Sequence, residues 1–341
     1  MEPELLIRIE GRAGRLTLNR PKALNALTHR QCLETTQALQ DWADDPAVKL
    51  VILDGAGERA FCSGGDIAQV TAAGKAGDLA MGRDFWRDEY RMNLLLANYP
   101  KPVVSFLHGF VMGGGVGYGC HIPYRIVGES TQMAMPECGI GMIPDVGGTY
   151  LLGRAPGQLG LYLALTAARM GPDDAIHAGF ADRFIPESDW PGVKARLIDS
   201  GDPATLPRHP APASPMAAEQ TRIDRLFAAD DIPAILRALE ADTSPLAQAA
   251  LKAIRRNSPL SMACTLAMLR PAPQTLTDAL RQEYRWTWRS MQHGDFIEGV
   301  RAQILDKDRN PRWKHPSPEA VTPGEVASML APLGTDELTF P

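Results

Sequence analysis

Two short apolar runs, "VKLVILDGAG" and "KPVVSFLHG", each end in glycine and lead into a glycine-bearing loop and a helical stretch: "CSGGDIAQV" after the first, "MGGGVGYG" after the second. Runs of this length suit strands buried on both faces, as parallel sheets require. A chain that repeats strand, loop and helix is committed to an α/β architecture, with its loops gathered at one side of the sheet. Upstream, "ELLIRIEGRAGRLTLNRP" predicts a hairpin, because Leu5 to Ile9 and Leu16 to Leu18 are strand-like, Gly11 to Gly14 supplies the turn, and Pro21 ends the pairing. A helix is predicted from Thr28, whose hydroxyl caps it while Gln31 completes a capping box. Cys32, Leu33, Thr36, Leu39 and Trp42 then recur at helical spacing.

The stretch "GDPATLPRHPAPASP" holds five prolines, which neither a helix nor a central strand accepts, and it reads as a linker. Beyond it, "AAEQTRIDRLFAADDIPAILRALEAD", "PLAQAALKAIRRN", "SPLSMACTLAMLR" and "TLTDALRQEYRWTWRSMQ" are amphipathic. The predicted division is therefore residues 1–205, an α/β core, and residues 206–341, mostly helical.

Glycines ahead of a helix leave backbone N–H groups uncovered, and the helix dipole adds partial positive charge, so "GFVMGGGVG" suits an oxyanion or phosphate. A close strand–helix contact would use the same residues. The run lacks the G-x-G-x-x-G spacing of a dinucleotide site and the G-K-[ST] of a Walker loop. "AFCSGGDIAQV" has the same character: Gly64 and Gly65 open the backbone and Asp66 stands where it can cap a helix. Two such loops from neighbouring units can aim one N–H each at a single oxygen, which is an oxyanion hole. A third segment, "MAMPECGIGMIPDVGGTYLLGRAPG", sets Glu137 and Asp145 among apolar residues. A carboxylate there is penalised when charged and can exchange protons near neutral pH. A buried ion pair is the competing use of Glu137, and an N-cap for the helix beginning near Gly147 is that of Asp145.

Other chemistries find little support. The seven histidines show no H-x-x-H or H-E-x-x-H spacing, so no metal is expected, and His108, after a strand, reads as a packed side chain. Ser63 and Ser105 lack a nucleophile elbow. The cysteines Cys32, Cys62, Cys120, Cys138 and Cys264 are odd in number and scattered, which fits reduced thiols in a cytoplasmic protein. The N-terminus carries charges where a secretory segment would be apolar, and no run of about 18 apolar residues occurs, so neither export nor a membrane span is expected. A formal charge of −5 argues against nucleic acid, and Trp286, Trp288 and Trp313, although interleaved with basic residues, are expected to pack.

Taken together, "LNRPKALNAL", "FCSGGDIAQV", "GFVMGGGVG" and "MPECGIGMIPDVGGTYLLGR" resemble, in order and separation, the crotonase (enoyl-CoA hydratase/isomerase) superfamily. The resemblance implies a spiral of ββα units, a CoA thioester as substrate, no separate cofactor, and an oxyanion hole whose donors carry over to Gly65 and Gly114. It also implies that Lys22, Ala23 and Leu24 meet the nucleotide and pantetheine end, although Lys22 reads equally well as a solvated surface lysine. A homo-oligomer, a trimer or a hexamer, is expected by resemblance alone. Hydratases of this superfamily hold a water between two glutamates. One position is present as Glu137 and the other is Gly117, so two-glutamate hydration looks closed to this chain. Asp145 in "PDVGG", with "FWRDEYRMN" upstream and "DFIEGVRAQILDKDRNPRWK" at the far end, is similar to the 3-hydroxyisobutyryl-CoA hydrolase branch, in which a glutamate matching Glu89 faces the acyl group. The expected activity is hydrolysis of a short β-hydroxyacyl-CoA, most simply 3-hydroxyisobutyryl-CoA from valine breakdown. The alternatives are an enoyl-CoA isomerase or hydratase-type reaction using Glu137, and a non-catalytic CoA- or RNA-binding member.

Overall fold

A computed structural model describes residues 2–340. The chain folds as two compact units whose segments alternate along the sequence: of the described residues, 2–65, 88–134 and 169–217 form the first, and 66–87, 135–168 and 218–340 the second.

The strands of the described residues all lie in the first unit. They are β1 (Leu5–Glu10), β2 (Ala13–Leu18), β3 (Leu50–Gly55), β4 (Ala60–Cys62), β5 (Val103–Leu107), β6 (Phe110–Met112), β7 (Tyr124–Val127), β8 (Gln132–Ala134) and β9 (Arg183–Phe184). β1 and β2 form the predicted hairpin, antiparallel with Leu5 opposite Leu18, although pairing already starts at Ala13. From β2 onward the sheet is parallel in the order β2-β3-β5-β7-β9, and β3 and β5 are buried along nearly their whole length, as their unbroken apolar runs require. β4, β6 and β8 build a second parallel sheet in that order. The chain thus alternates between the two sheets, β3 then β4, β5 then β6, β7 then β8, so the predicted strand–loop–helix unit is in fact ββα. The short second strands escaped notice because three residues leave no periodic signal.

The helices are α1 (His29–Ala43), α2 (Ile67–Lys75), α3 (Ala80–Ala97), α4 (Gly114–Cys120), α5 (Gly148–Leu152), α6 (Leu159–Thr166), α7 (Pro172–His177) and α8 (Trp190–Ser200). After the proline-rich stretch come α9 (Pro215–Ala218), α10 (Gln220–Leu226), α11 (Ile232–Glu240), α12 (Pro245–Ile254), α13 (Pro259–Leu269), α14 (Leu276–His293), α15 (Phe296–Val300) and α16 (Pro323–Leu330). Thr28 and Gln31 form the predicted capping box of α1. α8 covers one face of the large sheet: Trp190, Val193 and Leu197 pack with Leu50, Ile52, Val104, Phe106 and Ile126. Beneath that layer a buried ionic cluster ties the sheet together, for Asp54 on β3 accepts from Thr17 at 2.6 Å, Arg15 at 2.7 Å and Lys194 at 2.7 Å. Burial alone would raise the Asp54 carboxyl; Lys194 and Arg15 bring it below its ordinary value. All five cysteines are free and buried.

Candidate active site

In the first unit the glycine run divides its labour among three residues. Gly113, the residue before α4, takes φ +50°, a left-handed conformation that a side chain disfavours. Gly115 serves the close strand–helix contact: a Cβ there would lie 2.3 Å from the Cys62 carbonyl oxygen. Gly114, between them, faces the other loop. A Cβ on it would lie 3.0 Å from the Gly65 nitrogen and 2.8 Å from Glu89 Oε1. Gly64 is held at φ +114° beside Gly114, and the loop is pinned by Leu27, whose N–H donates to the Gly64 carbonyl at 2.9 Å. Among the described residues, neither the Gly65 nor the Gly114 amide donates to a protein carbonyl. Gly65, Gly114 and Glu89, predicted as parts of one site, are therefore brought together at one point.

Glu89 lies on α3 and is 3% exposed. One turn further along the same face stands Asn93, fully buried, with neither its Oδ1 nor its Nδ2 bonded to any protein group. Lys22 and Ala23 occupy an exposed 3₁₀ turn, Pro21–Ala23, and Leu24 follows at φ +52°. Asn25 fixes that turn by accepting from the Arg20 N–H at 2.9 Å and donating to the Ala60 carbonyl at 2.7 Å. His108 is buried beside Trp190, as a packed histidine should be. A separate cleft of about 720 Å³ in this unit, lined by Arg15, His108, Trp190 and Lys194 among others, contains none of the predicted site residues.

The second unit carries the other two carboxylates, both buried: Glu137 is 4% exposed and Asp145 5%. Glu137 opens a 3₁₀ turn, Glu137–Ile140, and its carbonyl accepts from the Met142 N–H at 2.9 Å. The segment after Asp145 turns through two left-handed residues, Val146 at φ +55° and Gly147 at φ +77°, before α5 begins. The residue at the cap position of that helix is Gly147, not Asp145, and no side chain of its own closes it. The capping atoms come from far along the chain. Glu283, on α14 and wholly buried, accepts from the Gly147 N–H at 2.7 Å, the Thr149 N–H at 2.9 Å and the Thr149 hydroxyl at 2.5 Å. Burial raises its carboxyl to about 8, with the Asp145 charge adding to the rise and the Thr149 and Gly147 donors opposing it. Asp66 likewise stands before α2 but makes no side-chain cap.

Glu283 and Asn93 escaped the sequence reading. A signal for each existed: Glu283 falls at the spacing of Leu276, Leu280 and Trp286 on the buried face of α14, and Asn93 falls four residues after Glu89 on α3. No cluster of three or more metal-ligating side chains occurs among the described residues. Nor is any helix among them long and apolar enough to cross a membrane. The tryptophans pack: Trp286 is fully buried, Arg83 stacks on Trp288 at 3.8 Å, and Trp313 Nε1 donates to the Arg256 carbonyl at 2.9 Å.

The family described as enoyl-CoA hydratase/isomerase matches residues 13–330. The 3-hydroxyisobutyryl-CoA hydrolase, mitochondrial, of Gallus gallus is 39% identical over 98% of this chain and 90% of its own length, and that of Homo sapiens is 36% identical over 99% and 91%. Their mitochondrial names lend no support to the cytoplasmic location expected from the sequence. Among solved structures, a protein described as an enoyl-CoA hydratase from Rhodobacter sphaeroides 2.4.1 is 57% identical with a TM-score of 0.97 over 99% of this chain and 100% of that one. A carnitinyl-CoA dehydratase from Mycobacterium thermoresistibile is 45% identical with a TM-score of 0.95 over 99% of each chain.

Proposed function

The chain belongs to the enoyl-CoA hydratase/isomerase family, and from that premise we propose that it hydrolyses the thioester of a short β-hydroxyacyl-CoA, 3-hydroxyisobutyryl-CoA first among them. The observation that carries this reading is the pair of uncommitted amides, Gly65 and Gly114, lying close together beside Glu89. In thioester cleavage negative charge collects on the carbonyl oxygen, and each fixed N–H aimed at it is worth roughly 10² to 10³ in rate.

Glu137 is assigned the attack, either directly on the carbonyl carbon to give an anhydride or by taking a proton from a water that attacks in its place. In both routes the C–S bond breaks and the thiolate takes a proton to become free CoA thiol; in the first a water then opens the anhydride, restoring the Glu137 carboxylate, and in either case one water is consumed and the acyl group leaves as a hydroxy acid. Asp145 and Glu89 are assigned to hold the β-hydroxyl or to carry the proton to the thiolate. A polar acyl tail suits such surroundings, since a hydroxyl left unpaired in a buried site costs on the order of 1 to 3 kcal/mol. Lys22, Ala23 and Leu24 are assigned to the nucleotide and pantetheine end, where an exposed lysine suits phosphate.

Two structural relatives described as a hydratase and a dehydratase favour a second reading, chemistry at a double bond with Glu137 as the single base. Gly117 stands against full hydration, because it offers no second carboxylate. Incubation with a panel of CoA thioesters separates the readings. Free thiol appearing from a β-hydroxyacyl-CoA, and lost in Glu137→Gln, supports hydrolysis; a change in enoyl absorbance without thiol supports the second reading.

A further inference from the structure

The hydrogen bonds of Glu283 converge on the loop that bears Asp145, and we infer that Glu283 is a positioning residue for Asp145. This rests on the proposed hydrolytic reading, in which Asp145 handles the acyl hydroxyl or the departing proton.

Val146 is β-branched, 1% exposed, and held at φ +55°, where its side chain crowds the backbone. Such a conformation persists only where the surroundings enforce it, and it collects at functional sites. Gly148 N–H donates to the Asp145 carbonyl at 2.7 Å. α14 contributes to that enforcement. One oxygen of Glu283 takes the Gly147 amide and the other takes the Thr149 amide and hydroxyl, so the carboxyl spans the first turn of α5 and fixes Gly147, which directly follows Val146, and Thr149. A loop free to relax at Val146 would swing the Asp145 side chain, and a displacement of about 1 Å at a reacting group can cost on the order of 10²-fold in rate.

Charge alone is not what the site demands. A carboxyl keeps a lone pair for each amide whether or not it is ionised. A carboxamide does not, because its nitrogen presents hydrogens to whichever backbone N–H it meets. Glu283→Gln is therefore the isosteric change that breaks one strand of the clamp at either ionisation state. A role confined to stability would lower the melting temperature and leave turnover per folded molecule alone. A role exerted through Asp145 shows itself in a double-mutant cycle, since residues acting as a unit are non-additive.

The test measures thiol release from 3-hydroxyisobutyryl-CoA by the full-length protein, corrected for folded fraction, in wild type, Asp145→Asn, Glu283→Gln and the double variant. The expected result is a fall in kcat of about 10- to 100-fold for Glu283→Gln, with KM changing much less, and almost no further fall when Glu283→Gln is added to Asp145→Asn. Thr149→Val, which removes one of the three donors and leaves Glu283 in place, should show the same non-additivity at smaller size, and it answers the question even where Glu283→Gln does not fold. Equal losses in the presence and absence of Asp145 would overturn the inference while leaving hydrolysis intact. Asp145→Asn turning over at the wild-type rate would overturn the role of Asp145 and the inference with it. A wild-type protein that releases no thiol from any CoA thioester would overturn the hydrolytic reading itself.

Discussion

At Gly114 a single hydrogen atom stands where any other residue would place carbon. The Cβ of Gly114→Ala would sit 3.0 Å from the Gly65 nitrogen and 2.8 Å from Glu89 Oε1, in the space between the two glycines and Glu89. Because the obstruction falls on the slot and not on a core contact, the variant should keep its circular dichroism spectrum and lose on the order of 10² to 10³ in kcat/KM toward a CoA thioester. Full activity in Gly114→Ala would remove the oxyanion hole from the account. Asn93 makes the opposite kind of prediction. Its amide is fully buried and bonds no protein group among the described residues. Replacing it with an apolar residue of similar size, Asn93→Leu, should raise stability by about 1 to 3 kcal/mol in urea titration. A loss of stability would mean that the amide does have a partner in the folded state.

Among the elements, α14 joins structure to pH. Burial raises Glu283 from 4.5 to about 8 in the folded chain. Between those values the folded chain retains a proton that the unfolded chain has released, so stability falls as pH rises through the window. The urea midpoint of the wild type should decline between about pH 5 and pH 8, and Glu283→Gln, which cannot titrate, should decline less; equal declines would show that Glu283 titrates as an exposed carboxylate. The elements also show what the sequence made legible. The capping box at Thr28 and the unbroken apolar runs of β3 and β5 are local signals, and each element formed where its signal stood. Glu137, Asp145, Gly65, Gly114 and Glu89 are proposed from ordered motifs, which mark positions and not contacts. What stayed hidden was long-range. The cap of α5 is a carboxylate 134 residues away from Thr149, and no local pattern around Asp145 announces it. The three-residue strands β4, β6 and β8 are set by sheet pairing and leave no periodicity of their own.

For the whole molecule, the family match extends over residues 13–330, so it takes in the helical segments after the proline-rich stretch as well as the ββα core. Glu283 gives that C-terminal portion a chemical task in addition to its packing. The central claim is that the two glycine amides and the buried carboxylates serve thioester hydrolysis. It is tested most directly by following free thiol and enoyl absorbance together while wild type and Glu137→Gln are each given 3-hydroxyisobutyryl-CoA. The account predicts stoichiometric thiol release by the wild type, none above background by Glu137→Gln, and no change in enoyl absorbance. Double-bond formation without thiol, or undiminished thiol release by Glu137→Gln, would contradict it.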